Sequence, residues 1–194
     1  MEVKIFTDVI DALEKVGKAL VSLKNIPKEK RERYLTAVTD AFTLLDSAVT
    51  LVIIRLGDVA ASENEAELSS ELLRLDSSKE WLAIERDVRL CRNLRIAHAE
   101  VDSFVLSFMV KLSGRDWDNV RCLVDQVLER EGELADFIAS SLSHLAGFAR
   151  AQTSDPTALT KARAEIDTTA SAVKAERRRL IASELEFLKA ATGT

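Results

Sequence analysis

The feature that most constrains the fold is a long apolar stripe in the first third of the chain. Its members recur in steps of three and four residues, which places them on one face of an α-helix: Leu35, Val38, Phe42, Leu45, Val49, Val52, Ile53 and Leu56. A helix with so continuous an apolar face has to bury that face against other helices. The stripe therefore predicts a central helix from Pro27 to Leu56, with Gly57 as its stop.

Composition predicts helix nearly throughout the rest of the chain. Only six of the 194 residues are glycine and two are proline, so few residues interrupt a helix. Apolar periodicity predicts further helices over residues 3–24, 62–75, 80–112, 116–150 and 156–190. The first has an apolar stripe from Phe6 to Leu20, a capping box that begins at Ser62 starts the helix over 62–75, and Asp155 caps the last helix. The predicted fold is an all-α bundle of about six helices in one domain over residues 1–194. Residues 155–194 form either part of the core or a C-terminal helical extension.

The last predicted helix has a thinner apolar stripe than the others. Alanine is common along it, and its larger members are Leu159, Ile166, Val173, Leu180 and Leu188. A helix with little apolar surface has less to bury. The pattern therefore predicts a peripheral position for this helix.

Charge and cysteine usage predict a cytoplasmic protein with reduced thiols. The net charge is −5, and Cys91 and Cys122 lie within helical stretches and do not form a disulfide framework. Both are interpreted as core or half-buried thiols. No apolar signal segment precedes the first charges. The most apolar run, residues 44–54, is shorter than the roughly 20 residues that a membrane span needs. It contains Asp46, which is interpreted as a solvent-facing or capping group. The sequence therefore predicts no membrane span.

The chain lacks a spaced set of metal ligands. Its two histidines, His98 and His144, are far apart in sequence, and its two cysteines are isolated. No glycine-rich phosphate loop is present. We therefore predict neither a metal site nor a cofactor. His144 lies between apolar residues and is interpreted as a core or edge histidine, and the run Arg177-Arg178-Arg179 as a solvated face.

Positive charge is concentrated in the stretch before His98. Arginines occupy every third position there, and neighbours three apart lie on adjoining helix surface: Arg86, Arg89, Arg92 and Arg95. Arginine binds phosphate oxygens well, and histidine exchanges protons near neutral pH. Two interpretations stay open at this point. One is phosphate chemistry; the other is a solvated helix face whose arginines pair with Glu85, Asp87, Glu100 and Asp102.

Arg92, Asn93 and His98 offer groups suited to RNA cleavage without a metal. Such cleavage needs a base for the 2′-hydroxyl, a group that stabilises charge on phosphorus, and an acid for the leaving 5′-oxygen. Histidine and arginine supply two of these roles, and a second copy of the site across a dimer axis can supply the third. On an unbroken helix, residues six apart point about 120° from each other. Arg92 and His98 therefore converge best if the chain bends after Ile96.

The stretch Arg92-Asn93-Leu94-Arg95-Ile96-Ala97-His98 resembles the signature of HEPN domains, in which an arginine is followed by a polar residue and then by a histidine. The Ala97-His98 pair is similar to the Ala-His pair that is common in the branch of this family related to abortive-infection proteins. The resemblance implies a four-helix core, here with additional long helices, and a catalytic site at Arg92, Asn93 and His98. The implied activity is that of a metal-independent RNA endonuclease, often a toxin or phage-defence effector, which dimerises to form a composite cleft. Arg86, Arg89 and Arg95 are then expected to contact RNA.

Two other functions remain open from the sequence. One is a non-catalytic helical interaction protein, such as an antitoxin, an immunity protein or a defence-system adaptor. The other is a nucleotide-binding module. We predict a homodimer in any case, because the stripes over residues 35–56 and 120–148 present more apolar surface than a thin final helix can cover. Further expected partners are RNA and a cognate antitoxin or defence partner.

Overall fold

The structure is a computed structural model that describes residues 4–22, 27–76, 99, 114–152, 155 and 157–192. The described segments contain five helices and no strand: α1 (Lys4–Ser22), α2 (Lys28–Ala60), α3 (Glu65–Arg74), α4 (Gly114–Ala151) and α5 (Ala158–Thr192). The predicted all-α helical bundle is confirmed. The predicted helix over residues 80–112 lies outside the described residues.

The long helices α2, α4 and α5 occupy three of the four positions in the cross-section of the bundle. The short helices α1 and α3 share the fourth position. Both short helices pack against α2, α4 and α5, and within the described residues they do not pack against each other. Phe6, near the start of α1, lies edge-to-face on Phe137 of α4, with ring centroids 6.3 Å apart. Asp76, just after α3, accepts a hydrogen bond from Ser143 farther along α4. Hence α1 and α3 follow one another along the same side of α4.

Contacts across the bundle fix the directions of the long helices. Arg177 of α5 pairs with Asp46 of α2, and Arg163, earlier in α5, donates to the carbonyl of Ser62, just beyond α2. Residue numbers therefore rise along α2 as they fall along α5, so these helices are antiparallel. Among the described residues α2 and α4 do not touch, which places them on opposite sides of the bundle.

The prediction of a peripheral last helix was wrong. Helix α5 contacts each of the other four described helices. Its buried residues follow a heptad spacing in which large side chains alternate with small ones: Leu159, Ala162, Ile166, Thr169, Val173, Leu180, Ser183 and Phe187. Small side chains let neighbouring helices approach closely, so an alanine-rich stripe is compatible with a central position. Leu188 follows the buried Phe187 and lies on the exposed side, contrary to its predicted burial.

Two helix boundaries differ from those predicted. Helix α2 runs through Gly57 to Ala60, so this glycine does not stop it. The N-cap of α3 is Asn64, whose side chain accepts a hydrogen bond from the backbone N–H of Glu67 at 2.9 Å. The carboxylate of Glu67 in turn accepts from the N–H of Glu63 at 2.8 Å. The sequence predicted a capping box that begins at Ser62, two residues too early, because serine and asparagine satisfy the same capping rule.

Asp155 organises the start of α5, in keeping with its predicted role as a cap. Its carboxylate accepts hydrogen bonds from the backbone N–H and the hydroxyl of Thr157, at 2.9 and 2.7 Å, and from Lys161 at 2.7 Å. The hydrogen bond from Lys161, followed by those from Thr157, lowers the pKa of Asp155 from its usual 3.8 to about 2. The side chain therefore stays ionised, and able to hold the first turn, to a more acidic pH than an ordinary aspartate does.

Gly17 permits a close approach between α1 and α5. A Cβ atom at this position would lie 2.5 Å from Cδ2 of Phe187, well inside van der Waals contact. Gly17→Ala is therefore expected to lower the free energy of unfolding by up to about 2 kcal/mol. Overpacking usually costs about 1–3 kcal/mol, and the roughly 1 kcal/mol that alanine gains as the better helix former offsets part of it.

Gly57→Ala is the matched control for this substitution, because a Cβ at Gly57 would meet no heavy atom within 4 Å. We expect this variant to be more stable than the wild type by about 0.5–1 kcal/mol. Urea unfolding followed by circular dichroism measures both changes. A Gly17→Ala variant that is more stable than the wild type would contradict the packing of Phe187 on α1.

Candidate functional site

The residues of the predicted ribonuclease site lie outside the described residues: Arg86, Arg89, Arg92, Asn93, Arg95 and His98. Ala99 is described, and it is helical and exposed. Apart from Ala99, the residues between Asp76 and Gly114 are not described. Asp76 lies beside Ser143 of α4, and Gly114 is the first residue of that helix. The axial distance between these two points on α4 is about 44 Å at 1.5 Å per residue. The convergence of Arg92 and His98 stays a prediction.

The described helices α4 and α5 enclose a cleft of about 210 Å³. Its walls come from both helices: Phe137, Ser140, Ser141, His144, Leu145, Glu165 and Thr169. The imidazole Nε2 of His144 lies 3.3 Å from Oε1 of Glu165, and the side chain of His144 is 62% exposed. The same ring lies edge-to-face on Phe148, with centroids 5.2 Å apart. His144 is thus an edge histidine, one of the two positions that the sequence predicted for it.

Thr169 contributes an unusual group to this cleft. Its side chain is buried, with 1% exposure, and its hydroxyl has no hydrogen-bond partner. Threonines within helices commonly donate to the carbonyl four residues earlier. Five others among the described residues do so: Thr36, Thr39, Thr43, Thr168 and Thr192. The hydroxyl of Thr50, like that of Thr169, is instead buried without a partner. An unsatisfied buried hydroxyl costs about 1–3 kcal/mol. The cleft therefore contains a polar group that the surrounding protein leaves unsatisfied.

The sequence analysis did not single out Glu165 or Thr169. One signal was present, since Thr169 occupies a position of the apolar stripe between Ile166 and Val173. A polar residue at a buried heptad position is uncommon and costs stability unless it has a partner. That signal identifies Thr169 alone, because the approach of His144 to Glu165 depends on how α4 packs against α5.

The run Arg177-Arg178-Arg179 is not simply a solvated face. Arg177 donates to both carboxylate oxygens of Asp46 in α2, at 2.8 and 3.1 Å. Arg179 pairs with Asp11 in α1, whereas Arg178 is exposed. Two of the three guanidiniums therefore connect α5 to different neighbours, and the predicted solvated face applies only to Arg178. The bidentate pair of Arg177 and Asp46 is geometrically specific, so it helps to set the register of α5 against α2.

Asp46 also acts on a second ionisable group. The hydrogen bond from Arg177 to Asp46 raises the pKa of Arg177, with burial opposing the change. On α5, burial raises the pKa of Glu184, and the negative charge of Asp46 raises it further. Asp46 was predicted to be a solvent-facing or capping group. It is instead partly buried in an ion pair between two helices, which accounts for an acidic residue within an otherwise apolar run.

The described residues show no cluster of metal ligands and one exposed cysteine. These residues contain no group of three or more His, Cys, Asp or Glu side chains placed to hold a metal ion. Cys122 was predicted to be a core or half-buried thiol, but it is exposed, and its sulfur accepts a hydrogen bond from Gln126 at 3.6 Å. Cys91 lies outside the described residues. Helical periodicity places Cys122 one residue beyond the apolar face of α4.

Helix α2 is long and apolar enough to cross a membrane by length and composition. The core helix of a bundle satisfies the same criteria, and eleven residues of α2 are buried among the other helices. The apolar composition of α2 therefore has a sufficient explanation in its packing. It does not by itself indicate where in the cell the protein resides.

Comparison of the chain with protein-family models, with curated proteins and with solved structures finds no match.

Proposed function

We propose that this protein is a metal-independent RNA endonuclease of the toxin or phage-defence type. The observation that carries the proposal is the stretch Arg92-Asn93-Leu94-Arg95-Ile96-Ala97-His98, with its resemblance to the HEPN signature. The all-α bundle is the fold class that this resemblance implies, and so supports it. In this mechanism Arg92 binds the scissile phosphate, His98 transfers a proton, and Asn93 orients the arginine or the phosphate.

The charges of the described bundle favour the same stretch as the RNA-binding region. Several arginines there are already held in ion pairs or hydrogen bonds within the protein: Arg150 with Asp76, Arg163 with Ser62, Arg177 with Asp46 and Arg179 with Asp11. A protein of net charge −5 binds RNA through a local basic site. Arg86, Arg89 and Arg95, which precede and interleave the motif, are the residues that we propose for RNA contacts.

The test is RNA cleavage by the purified protein in excess EDTA. We expect cleavage of single-stranded RNA to continue and to leave 2′,3′-cyclic phosphate ends, because the attacking group is the 2′-hydroxyl of the RNA itself. RNA with a single 2′-deoxy sugar at the cut site is the control substrate and should resist. Cleavage that needs Mg²⁺, or that proceeds equally well on DNA, would contradict the mechanism.

The outer face of α5 favours a second candidate function, that of a helical interaction protein that self-associates. Ile181, Leu185 and Leu188 lie four and three residues apart, and their side chains are 37%, 53% and 36% exposed. This spacing places them in one strip along one helix face. The original reason for a homodimer no longer applies, because the stripes of α2 and α4 are largely buried within the bundle. The homodimer that we propose now depends on the strip on α5.

Residues beside this strip suit an antiparallel pairing of two copies of α5. Ala182 is exposed and small, so it allows two helices to approach closely. Arg178 and Glu186 are also exposed, and they lie four residues before and four residues after Ala182. If two copies pair about Ala182, Arg178 of one lies nearly opposite Glu186 of the other. In a parallel pairing, each charged residue would instead lie beside the same residue of the other helix. Arg178 and Glu186 would then not meet.

Leu185→Arg is therefore expected to convert the dimer to a monomer in sedimentation at high micromolar concentration, because it places a charge within the proposed apolar interface. Ile54→Arg is the matched control. Ile54 is 52% exposed and is the one exposed large apolar side chain on α2, so this variant should remain dimeric. If the wild type is itself a monomer, both the self-association and the composite ribonuclease site are wrong.

A further inference from the structure

The cleft between α4 and α5 belongs neither to the proposed ribonuclease motif nor to the apolar strip on α5. Phe137 and Leu145 of α4 provide apolar walls, and the hydroxyl of Ser140 is already engaged with the carbonyl of Phe137 at 3.1 Å. An empty cavity of about 150 Å³ with apolar walls holds a benzene molecule. The volume of about 210 Å³ is therefore sufficient for one substituted aromatic ring.

Two polar groups of the cleft come from α5 and are spaced one helical turn apart. Glu165 and Thr169 are four residues apart, so their side chains lie on the same face of α5. The hydroxyl of Thr169 has no hydrogen-bond partner, and Oε1 of Glu165 lies 3.3 Å from Nε2 of the exposed His144. The cleft thus combines apolar walls with a carboxylate and an unsatisfied hydroxyl, both of which accept hydrogen bonds.

We propose that this cleft binds a small aromatic amine or amidine cation. The ring lies between Phe137 and Leu145, and the N–H groups donate to the carboxylate of Glu165 and, after its buried side chain rotates toward the ligand, to the hydroxyl oxygen of Thr169. A hydrogen bond between two charged partners is about twice as strong as one between neutral groups, so the carboxylate selects a cation. An anion would be repelled by Glu165, and a purely apolar ligand would leave the Thr169 hydroxyl unsatisfied. His144 competes with the ligand for Glu165, because its Nε2 lies 3.3 Å from the carboxylate.

Three probes of nearly identical shape test the proposed charge preference. Benzamidine, benzamide and benzoate carry charges of +1, 0 and −1 on the same ring. Binding to the full chain is measured by titration with nuclear magnetic resonance detection. We expect benzamidine to bind with a Kd of about millimolar, at least about tenfold more tightly than benzamide, and benzoate to show no binding. The proposal is overturned if benzoate binds as tightly as benzamidine, or if benzamidine shows no binding at about 10 mM.

Two substitutions test which residues form the site. Glu165→Gln keeps the shape and removes the charge, and should weaken benzamidine binding by about tenfold or more. Thr169→Val should weaken it by about three- to tenfold, the usual value of one hydrogen bond. The same variant should melt at a higher temperature, because a methyl group replaces a buried hydroxyl that has no partner.

Thr168→Val is the matched control, since Thr168 is the adjacent residue, is exposed, and donates to the carbonyl of Ala164 at 2.9 Å. Neither benzamidine binding nor the melting temperature should change much in this variant. If Thr169→Val lowers the melting temperature and leaves binding intact, the hydroxyl has a structural role and the proposed site is wrong.

Discussion

Replacing His98 with alanine is expected to lower the rate of RNA cleavage by about 10²–10⁴-fold, the usual contribution of a positioned acid or base. RNA affinity and melting temperature should hardly change, because in the proposed mechanism the imidazole transfers a proton and does not hold the substrate. Single-turnover cleavage in EDTA measures the rate, and RNA binding is measured separately with an uncleavable 2′-deoxy substrate. A parallel fall in cleavage and melting temperature would instead indicate a structural role for His98.

Two further variants make this prediction specific to the motif. Arg92→Lys should also cleave poorly, because lysine keeps the charge but lacks the planar group that contacts two phosphate oxygens. His144→Ala is the matched control, since it removes the other histidine of the chain, whose side chain is partly exposed beside Glu165. Cleavage should survive that substitution. A large loss of activity in His144→Ala, with the fold intact, would show that the catalytic histidine was assigned to the wrong position.

Phe42→Ala is expected to lower the free energy of unfolding by about 3–5 kcal/mol. Phe42 is fully buried, and its ring stacks on that of Phe187, with centroids 6.0 Å apart and planes inclined by 28°. Gly17 also packs against Phe187 and has no side chain that can move into the space left behind. The cavity should therefore persist, and its full cost should appear as lost stability.

Urea unfolding of Phe42→Ala measures this loss, with Ile54→Ala as the control on the same helix. Ile54 is 52% exposed, and exposed substitutions of this kind usually change stability by no more than about 0.5 kcal/mol. Native proteins of this size are stable by only about 5–15 kcal/mol, so a loss of this size removes a large fraction of the stability. A loss below about 1 kcal/mol would mean that the helices close the cavity or that Phe42 is not central.

The helices themselves were largely predictable from the sequence, because helical periodicity is a local property. The apolar stripe of α1, from Phe6 to Val16, is buried as predicted, and so is most of the stripe of α2. The ends of the helices were less certain. Gly57 continues α2 because a glycine inside a helix costs only about 1 kcal/mol, which the packing of the flanking residues exceeds.

The candidate sites differ in how far the sequence predicts them. The Arg92–His98 motif is contiguous, so its residue types and spacing can be recognised without a fold, although their geometry remains a prediction. The cleft beside Thr169 could not be found in this way, because Phe137 and Glu165 come from different helices. The unusual polar residue in the stripe of α5 was visible in the sequence. Its lack of a partner becomes apparent only in the packed bundle.

By itself, the sequence determined that the chain is helical, where most helices lie and which faces they bury, since each of these follows from residues within a few turns of one another. Only the tertiary structure decided that α5 contacts all four other described helices, and that Arg177 and Arg179 connect it to α2 and α1. The physical reason is that an apolar or charged side chain specifies the kind of partner it needs, but not which one. That choice depends on the simultaneous packing of helices that are far apart in sequence.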